Sequence, residues 1–201
     1  SSIAKQANEI VKNDLIRTGE FYIFDEKSLI AYPPSEDDIN YSDWRLINAD
    51  YLLLTSVIES NSGIEARYEI FDVRKKSKIR SSKVYGVSNN VRQLSHYVSD
   101  GIYEAITGIQ GVASTKILYV SQTNDLDASY RLYVADADGA NEQLLVKSPE
   151  PIISPAWSPD SKKVAYVSFE TGIANVYIQD ISTGERQSII KKRCLTCITN
   201  E

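Results

Sequence analysis

The sequence predicts two folded parts, an α/β domain over residues 1–111 followed by an all-β partial β-propeller over residues 112–191. Apolar residues at helical spacing near both ends of the first part, with strands between them, predict the α/β domain. Beyond Gly111 the helical spacing disappears, and two similar units of short strands follow one another. Short strands that repeat about every 40 to 50 residues are typical of propeller blades, because each blade buries its faces only against its neighbours.

Composition limits the function classes. The chain has 201 residues, is 42% hydrophobic, and carries 27 acidic against 22 basic residues, for a net charge of -5. This balance offers no basic surface that would release counterions from a polyanion, so we expect no nucleic-acid partner. No apolar run approaches the roughly 18 residues of a membrane span, so we expect no membrane insertion. Proteins or neutral ligands are the expected partners.

The amino-terminal elements follow from local patterns. Residues 2–17 predict an amphipathic helix, and Gly19 ends it because glycine adopts a left-handed backbone without strain. The apolar run at residues 21–25 predicts a short strand, and the paired prolines within residues 32–38 predict a loop. Residues 42–46 predict one or two helical turns. Because no strand precedes the first helix, we expect the first strand of this domain to lie upstream of residue 1.

Three strands are predicted next, at residues 50–58, 64–73 and 79–87. Apolar and charged residues alternate along the second strand, which predicts one buried face and one solvated face. The basic run at residues 74–78 separates the second strand from the third. We interpret this run as a solvated hairpin turn, and a docking patch for an acidic partner is the alternative.

A second amphipathic helix is predicted to close the domain. Asn90 is a good residue to cap its start, and Gly108 to end it. The predicted inward face carries six apolar residues: Val91, Leu94, Val98, Ile102, Ala105 and Ile106. His96, the only histidine of the sequence, lies on the polar side of this helix, so we expect it to be exposed.

The all-β region contains an internal repeat. Tyr119 aligns with Tyr166, 47 residues later, and Tyr133 aligns with Tyr177, 44 residues later. Four strands are predicted for the second unit, from the innermost to the outermost: residues 152–157, 164–169, 175–180 and 186–191. The first unit has only the last three of these strands, so fewer than two complete blades are predicted. We expect the four tyrosines to wedge between blades.

Residues 155–161, Pro-Ala-Trp-Ser-Pro-Asp-Ser, resemble the repeat of TolB-type propellers. The resemblance also covers four other segments: residues 107–111, 115–120, 136–141 and 148–151. It extends from the first helix to about Lys191 and identifies the chain as a member of the TolB family, whose propeller has six blades. Ser161 stands where the family usually has glycine. Residues 192–201 match no blade motif, and we interpret them as an aberrant or frayed tail.

The resemblance implies a non-enzymatic periplasmic scaffold of the Tol-Pal system that supports outer-membrane integrity and constriction at cell division. It implies two partners. TolA would contact a segment that precedes Ser1, and the peptidoglycan-associated lipoprotein would dock on one end of the propeller. In an up-and-down blade, two of the loops emerge on that side. They carry the predicted partner-binding residues Ser148, Pro149, Glu150, Glu170 and Thr171.

The sequence gives no pattern that predicts catalysis, a cofactor or a metal. No Gly-x-Ser-x-Gly motif accompanies the single histidine. Asp136 and Asp138 are similar to a calcium loop, but Gly139 falls at the wrong position, so we predict a hairpin turn there. Cys194 and Cys197 have no second cysteine pair to complete a zinc site.

Two alternative functions remain open. The propeller could regulate a hydrolase domain encoded elsewhere, as in prolyl oligopeptidases, and a catalytic Ser-His-Asp domain would then be found downstream. Alternatively, the propeller could bind a small ligand in its channel.

Overall fold

A computed structural model describes residues 2–60, 63–87, 90–123 and 129–189. The chain divides into two compact units, Ser1–Thr115 and Lys116–Glu201. The predicted tail at residues 192–201, with its two cysteines, lies outside the described residues.

In the part of the first unit that the structure describes, there are three α-helices: α1 at Ser2–Arg17, α2 at Tyr41–Leu46 and α3 at Val91–Thr107. Two 3-10 turns lie at Glu26–Ser28 and Glu36–Asp38. None of the described helices is long and apolar enough to span a membrane.

Helix ends follow the predicted capping chemistry. The Asn90 side chain accepts a hydrogen bond from the Gln93 amide at 3.1 Å, so it caps α3 as expected. Gly108 ends α3 with φ of 76°, and Gly19 follows α1 with φ of 77°. Both angles lie in the left-handed region, where a residue with Cβ is strained.

The predicted strand at residues 21–25 was wrong, because this segment pairs with no strand of the described sheets. Its apolar side chains are nevertheless partly buried: Phe21 and Ile23 pack on one core, and Phe24 packs on another. The pattern therefore reflected side-chain packing of a segment outside the sheets, which hydrophobicity alone does not distinguish from a strand.

Three antiparallel strands form the sheet of the first unit, in the order β1 (Tyr51–Ser60), β2 (Gly63–Asp72) and β3 (Ser77–Gly86). One face of this sheet packs against α1 and α3. We call this the helix-side core, and its buried members are Ala7, Val11, Leu15, Ile64, Ala66, Tyr68, Ile70, Val91, Leu94, Val98 and Ile102. The predicted alternation along β2 is confirmed, since Ala66, Tyr68 and Ile70 all belong to this core.

The opposite face of the sheet is covered over part of its length by a second group of apolar residues. We call it the Trp44 cluster, and its buried members are Trp44, Ala49, Leu52, Phe71 and Val73. Because Phe71 directly follows Ile70, the two side chains point to opposite faces of the sheet. Strand β2 therefore contributes to both cores.

The described residues of the second unit form two antiparallel sheets. The first contains β4 (Lys116–Thr123), β5 (Ser129–Asp136) and β6 (Gln143–Ser148) in that order. Four strands form the second sheet, in the order β10-β9-β8-β7: β7 (Ile152–Trp157), β8 (Lys163–Ser168), β9 (Asn175–Asp180) and β10 (Arg186–Ser188). These sheets confirm the predicted fold class, in which an α/β domain precedes partial, unclosed propeller blades.

The two sheets of the second unit share one core. We call it the inter-blade core, and its buried members are Leu132, Val146, Ile152, Val164, Tyr166 and Tyr177. Tyr166 and Tyr177 stack at 5.8 Å between ring centroids and lie in this core, as predicted. Tyr119 and Tyr133 also stack, at 5.5 Å between ring centroids. Tyr133 directly follows Leu132 and pairs with Tyr119 across the two strands, so both rings point away from the inter-blade core.

Candidate functional site

The two loops with predicted partner-binding residues meet at one end of the second sheet. Residues 149–151 connect β6 to β7, and residues 169–174 connect β8 to β9. The Phe169 amide donates a hydrogen bond to the Pro151 carbonyl at 3.1 Å. The two loops therefore lie side by side, whereas binding of a protein by them stays a prediction.

Two serines give these loops the same local structure. The Ser148 hydroxyl accepts a hydrogen bond from the Glu150 amide at 3.1 Å, and the Ser168 hydroxyl accepts one from the Glu170 amide at 3.3 Å. Such side-chain to backbone bonds fix a turn where the strand ladder ends. Ser148 is 2% exposed, so it shapes its loop from inside, while Pro149 and Glu150 are exposed.

Glu170 already has a partner within the chain. Its carboxylate lies 3.0 Å from the Arg186 guanidinium, which also lies over the Tyr177 ring at 5.1 Å from the centroid. The Glu170 carboxylate accepts a hydrogen bond from Tyr177 and thereby raises the pKa of that phenol. The Thr171 hydroxyl is exposed and accepts a hydrogen bond from the Asn175 amide group at 2.6 Å.

Three of the five predicted residues thus present exposed side chains, and we call them the blade-end surface: Pro149, Glu150 and Thr171. Ser148 is buried and Glu170 is only partly exposed. Arg186, which balances the charge of Glu170, was not predicted from the sequence. The register between β9 and β10 determines where Arg186 lies, and no local motif indicates that register.

The first unit contains a buried polar group that the sequence did not predict. His96 is 1% exposed, so the expectation of an exposed histidine was wrong. Its Nδ1 atom lies 2.7 Å from the Asp14 carboxylate, and the Ser99 hydroxyl donates to the same carboxylate oxygen at 2.8 Å. The part of α3 that carries His96 and Ser99 lies against α1 instead of facing solvent. Asp14 gave the available signal, since it lies between the apolar positions Val11 and Leu15.

A Ser-His-Asp trio suggests hydrolysis only if the histidine bonds to the serine. Here the Ser99 hydroxyl lies within hydrogen-bond distance of Asp14 and of the Ser95 carbonyl, at 2.8 and 2.9 Å. Asp14 therefore stands between Ser99 and His96, which is not the order of a catalytic triad. Asp14, His96 and Ser99 are each at most 3% exposed, so a substrate could not reach them. The group connects α1 to α3.

Burial of Asp14 would by itself raise the pKa of its carboxyl group. Hydrogen bonds from His96 and Ser99, together with the positive charge of Arg17, outweigh that effect and hold the pKa of Asp14 below its usual range. The Arg17 guanidinium lies 2.6 Å from the second oxygen of the carboxylate. The folded first unit therefore stabilises the ionised form of Asp14.

The predicted hairpin turn after Asp136 is confirmed, since this residue ends β5 and the chain returns as β6. The Asp136 carboxylate pairs with Lys116 at 2.7 Å and accepts a hydrogen bond from the Asn141 side chain at 2.6 Å. Gly139 has φ of 85°, which fits a turn. The Asp136 carboxylate thus contacts a cation on β4 and a side chain of its own hairpin.

Residues 74–76 of the basic run lie in the hairpin turn between β2 and β3, and Ser77 and Lys78 begin β3. Arg74 pairs with Asp50 at 2.7 Å, and Lys75 pairs with Asp72 at 3.3 Å. Lys78 pairs with Glu69 at 2.8 Å and also with Glu36. Nearby carboxylates balance these three cations, which favours the solvated turn over a docking patch for an acidic partner.

Family models match both units. The model of the TolB amino-terminal domain matches residues 1–79, and the model of the TolB β-propeller domain matches residues 103–198. Together these two models cover most of the chain.

Similar proteins belong to the same family as these two models. The chain is 39% identical over 190 residues to the Tol-Pal system protein TolB of Hahella chejuensis, covering 93% of this chain and 44% of that protein. It is 38% identical over 188 residues to the protein of the same name from Xylella fastidiosa, covering 92% of this chain and 43% of that protein. The crystal structure of TolB from Acinetobacter baumannii matches with a TM-score of 0.84 and 38% identity, over 92% of this chain and 46% of that one. The chain thus spans less than half the length of these relatives, and over that span it belongs to the TolB family.

Proposed function

We propose that this chain is a non-enzymatic, protein-binding component of the Tol-Pal system in the bacterial periplasm. Support comes from its family and from the relatives named as Tol-Pal system proteins. In this role the chain would be a scaffold that supports outer-membrane integrity and constriction at cell division. The hydrogen bonds around Asp14 support a structural role for the histidine, because Asp14 stands between the buried serine and His96.

The partner we propose for this chain is the peptidoglycan-associated lipoprotein, which would dock on the blade-end surface. The observation that carries this proposal is the Phe169–Pro151 hydrogen bond, because it holds two loops of a rigid sheet side by side. Loops positioned by a rigid scaffold are frequent binding sites. For TolA, the resemblance implies a contact upstream of Ser1, so we propose no residue of this chain for it.

Titration calorimetry with the soluble domain of the lipoprotein tests the proposal. The Glu150→Lys variant reverses an exposed charge of the blade-end surface. The hydrogen bond to the Ser148 hydroxyl comes from the Glu150 backbone amide, so the substitution keeps it. We expect the dissociation constant to rise at least about tenfold, which corresponds to ~1.4 kcal/mol. Glu170 is less suitable for charge reversal, because its loss would leave Arg186 without its carboxylate.

Glu185→Lys is the matched control. Glu185 is exposed in the turn between β9 and β10. This turn lies at the opposite end of the sheet, where the Ile181 amide donates to the Lys162 carbonyl at 3.1 Å. We expect the control to bind the lipoprotein as the parent chain does. Absence of binding by the parent chain, or equal losses in the two variants, would contradict the proposal.

A further inference from the structure

A buried glutamine connects the two sheets of the second unit. Gln179 lies on β9 and is 3% exposed, so its side-chain amide needs hydrogen-bond partners inside the protein. The amide nitrogen donates to the Leu145 carbonyl on β6 at 3.2 Å. Leu145 has no partner residue on β5, because the register between β5 and β6 shifts there. Gln179 thus bonds to the first sheet at an irregular point of its last strand.

The bond to Leu145 determines which way the glutamine amide points. A backbone carbonyl only accepts hydrogen bonds, so the nitrogen of Gln179 faces Leu145 and its oxygen faces the second sheet. That oxygen accepts a hydrogen bond from the Tyr166 hydroxyl at 3.0 Å. Burial raises the pKa of Tyr166, so the hydroxyl keeps the proton that it donates.

Because its proton is donated to Gln179, the Tyr166 oxygen can only accept from its other neighbour. The Arg186 guanidinium donates to this oxygen and also lies 3.0 Å from the Glu170 carboxylate. Glu170 belongs to the loop between β8 and β9, directly before Thr171 of the blade-end surface. These side chains form a directed series of hydrogen bonds, which we call the Gln179 network: Gln179, Tyr166, Arg186 and Glu170.

We propose that Tyr166 is a positioning residue for the blade-end surface. Its hydroxyl holds the Arg186 guanidinium, and Arg186 holds the loop at Glu170. Since the network begins at the Leu145 carbonyl, the loop takes its position from the contact between the two sheets as well as from its own turn. The effect on the loop needs no partner, whereas its consequence for the lipoprotein rests on the proposed function.

Amide hydrogen exchange of the 201-residue chain, followed by NMR, tests the position of the loop. Tyr166→Phe keeps the ring and removes the hydroxyl. We expect the Glu170 amide, which donates to the Ser168 hydroxyl at 3.3 Å, to exchange roughly fivefold faster than in the parent chain. The reference is the Glu185 amide, which donates to the Thr183 hydroxyl at 3.2 Å in the turn between β9 and β10. Its exchange should stay the same.

Tyr119→Phe is the matched control. Tyr119 aligns with Tyr166 by the internal repeat, and its hydroxyl donates to Glu142, directly before β6. This bond has no part in the Gln179 network, so the Glu170 amide should exchange as in the parent.

Arg186→Lys is a second variant, at an exposed position of β10 where the fold should tolerate the change. It keeps a positive charge opposite Glu170 but loses the planar guanidinium that reaches two acceptors. We expect the Glu170 amide to exchange faster than in the parent chain in this variant as well.

Two results would overturn the proposal. Equal acceleration of the Glu170 and Glu185 amides in Tyr166→Phe would indicate a general loss of stability. Exchange equal to that of the parent would indicate that the turn holds the loop without the network.

Titration calorimetry with the soluble domain of the lipoprotein gives a second readout. We expect the dissociation constant to rise about threefold in Tyr166→Phe and to stay unchanged in Tyr119→Phe. Equal affinities, in a variant whose loop exchanges faster, would overturn the role of Tyr166 in docking. Absence of binding by the parent chain would contradict the proposed function alone, because the exchange measurement needs no partner.

Discussion

The Asp14 carboxylate accepts a hydrogen bond from His96 Nδ1 at 2.7 Å, across 82 residues of sequence. Both side chains are almost completely buried, and the bond connects α1 to α3 beside the helix-side core. A buried carboxylate is stable only where its charge is paired and its oxygens accept hydrogen bonds. His96, Ser99 and Arg17 together meet that condition.

The Asp14→Asn variant should therefore destabilise the first unit. The amide has the same shape, but it lacks the charge to which His96, Ser99 and Arg17 donate. We expect the free energy of unfolding in urea to fall by roughly 2–3 kcal/mol. The control is Asp25→Asn, an exposed carboxylate 3.8 Å from Lys12, which should leave the free energy unchanged within error. Equal stability of the two variants would contradict the role of Asp14.

Asp14 should also make the stability of the first unit depend on pH. Its pKa is lower in the folded chain than in the unfolded chain, so the folded state binds the proton less readily. Its contribution is complete above the unfolded pKa of about 3.9 and is lost as the pH falls through the lower folded pKa. Other carboxyl groups of this unit, including Glu69 and Asp72, also have lowered pKa values. The difference between the parent and Asp14→Asn, measured by denaturation from pH 7 downward, should therefore shrink in acid.

Ser161→Gly should stabilise the second unit. Ser161 has φ of 57°, in the left-handed region, at the end of the turn that joins β7 to β8. Glycine adopts this backbone without strain, so we expect a gain of about 1 kcal/mol in the free energy of unfolding. Lys162→Gly is the control, because Lys162 is exposed and has no positive φ; it should destabilise the unit slightly. A loss of stability in Ser161→Gly would show that the strain is absent.

Gly101→Ala should destabilise the first unit, because the added Cβ would collide with the hydroxyl of Tyr68. Tyr68 is 3% exposed, so its ring has little room to move. Overpacking of this kind typically costs about 1–3 kcal/mol. Tyr68→Phe removes the hydroxyl, so the double variant should recover part of the loss. A double-mutant cycle by thermal denaturation measures this coupling, and additive effects would contradict the close contact.

Local chemistry explains what the sequence predicted well. Asn90 and Gly108 define the ends of α3 through hydrogen bonds and backbone angles that depend only on nearby residues. The alternation along β2 likewise predicted which side chains enter the helix-side core. The tyrosines at repeat-equivalent positions predicted two sheets of the same kind, and they stack in pairs in both.

Long-range packing explains what the sequence did not predict. His96 is polar and lies away from the apolar stripe of α3, and its hydrogen bond to Asp14 depends on how α1 packs beside α3. The apolar run from Phe21 to Phe24 has the composition of a strand, but no strand of the described sheets pairs with it. At the blade-end surface, the predicted loops do lie together, but the pairing of Glu170 with Arg186 depends on strand register.

The two tryptophans of the chain give each unit its own optical probe. Trp44 is 3% exposed in the first unit, and Trp157 packs against the inter-blade core in the second. Replacing one of them with phenylalanine leaves fluorescence that reports on a single unit. Emission recorded during denaturation can therefore show whether the α/β domain and the propeller sheets lose their structure together or in sequence.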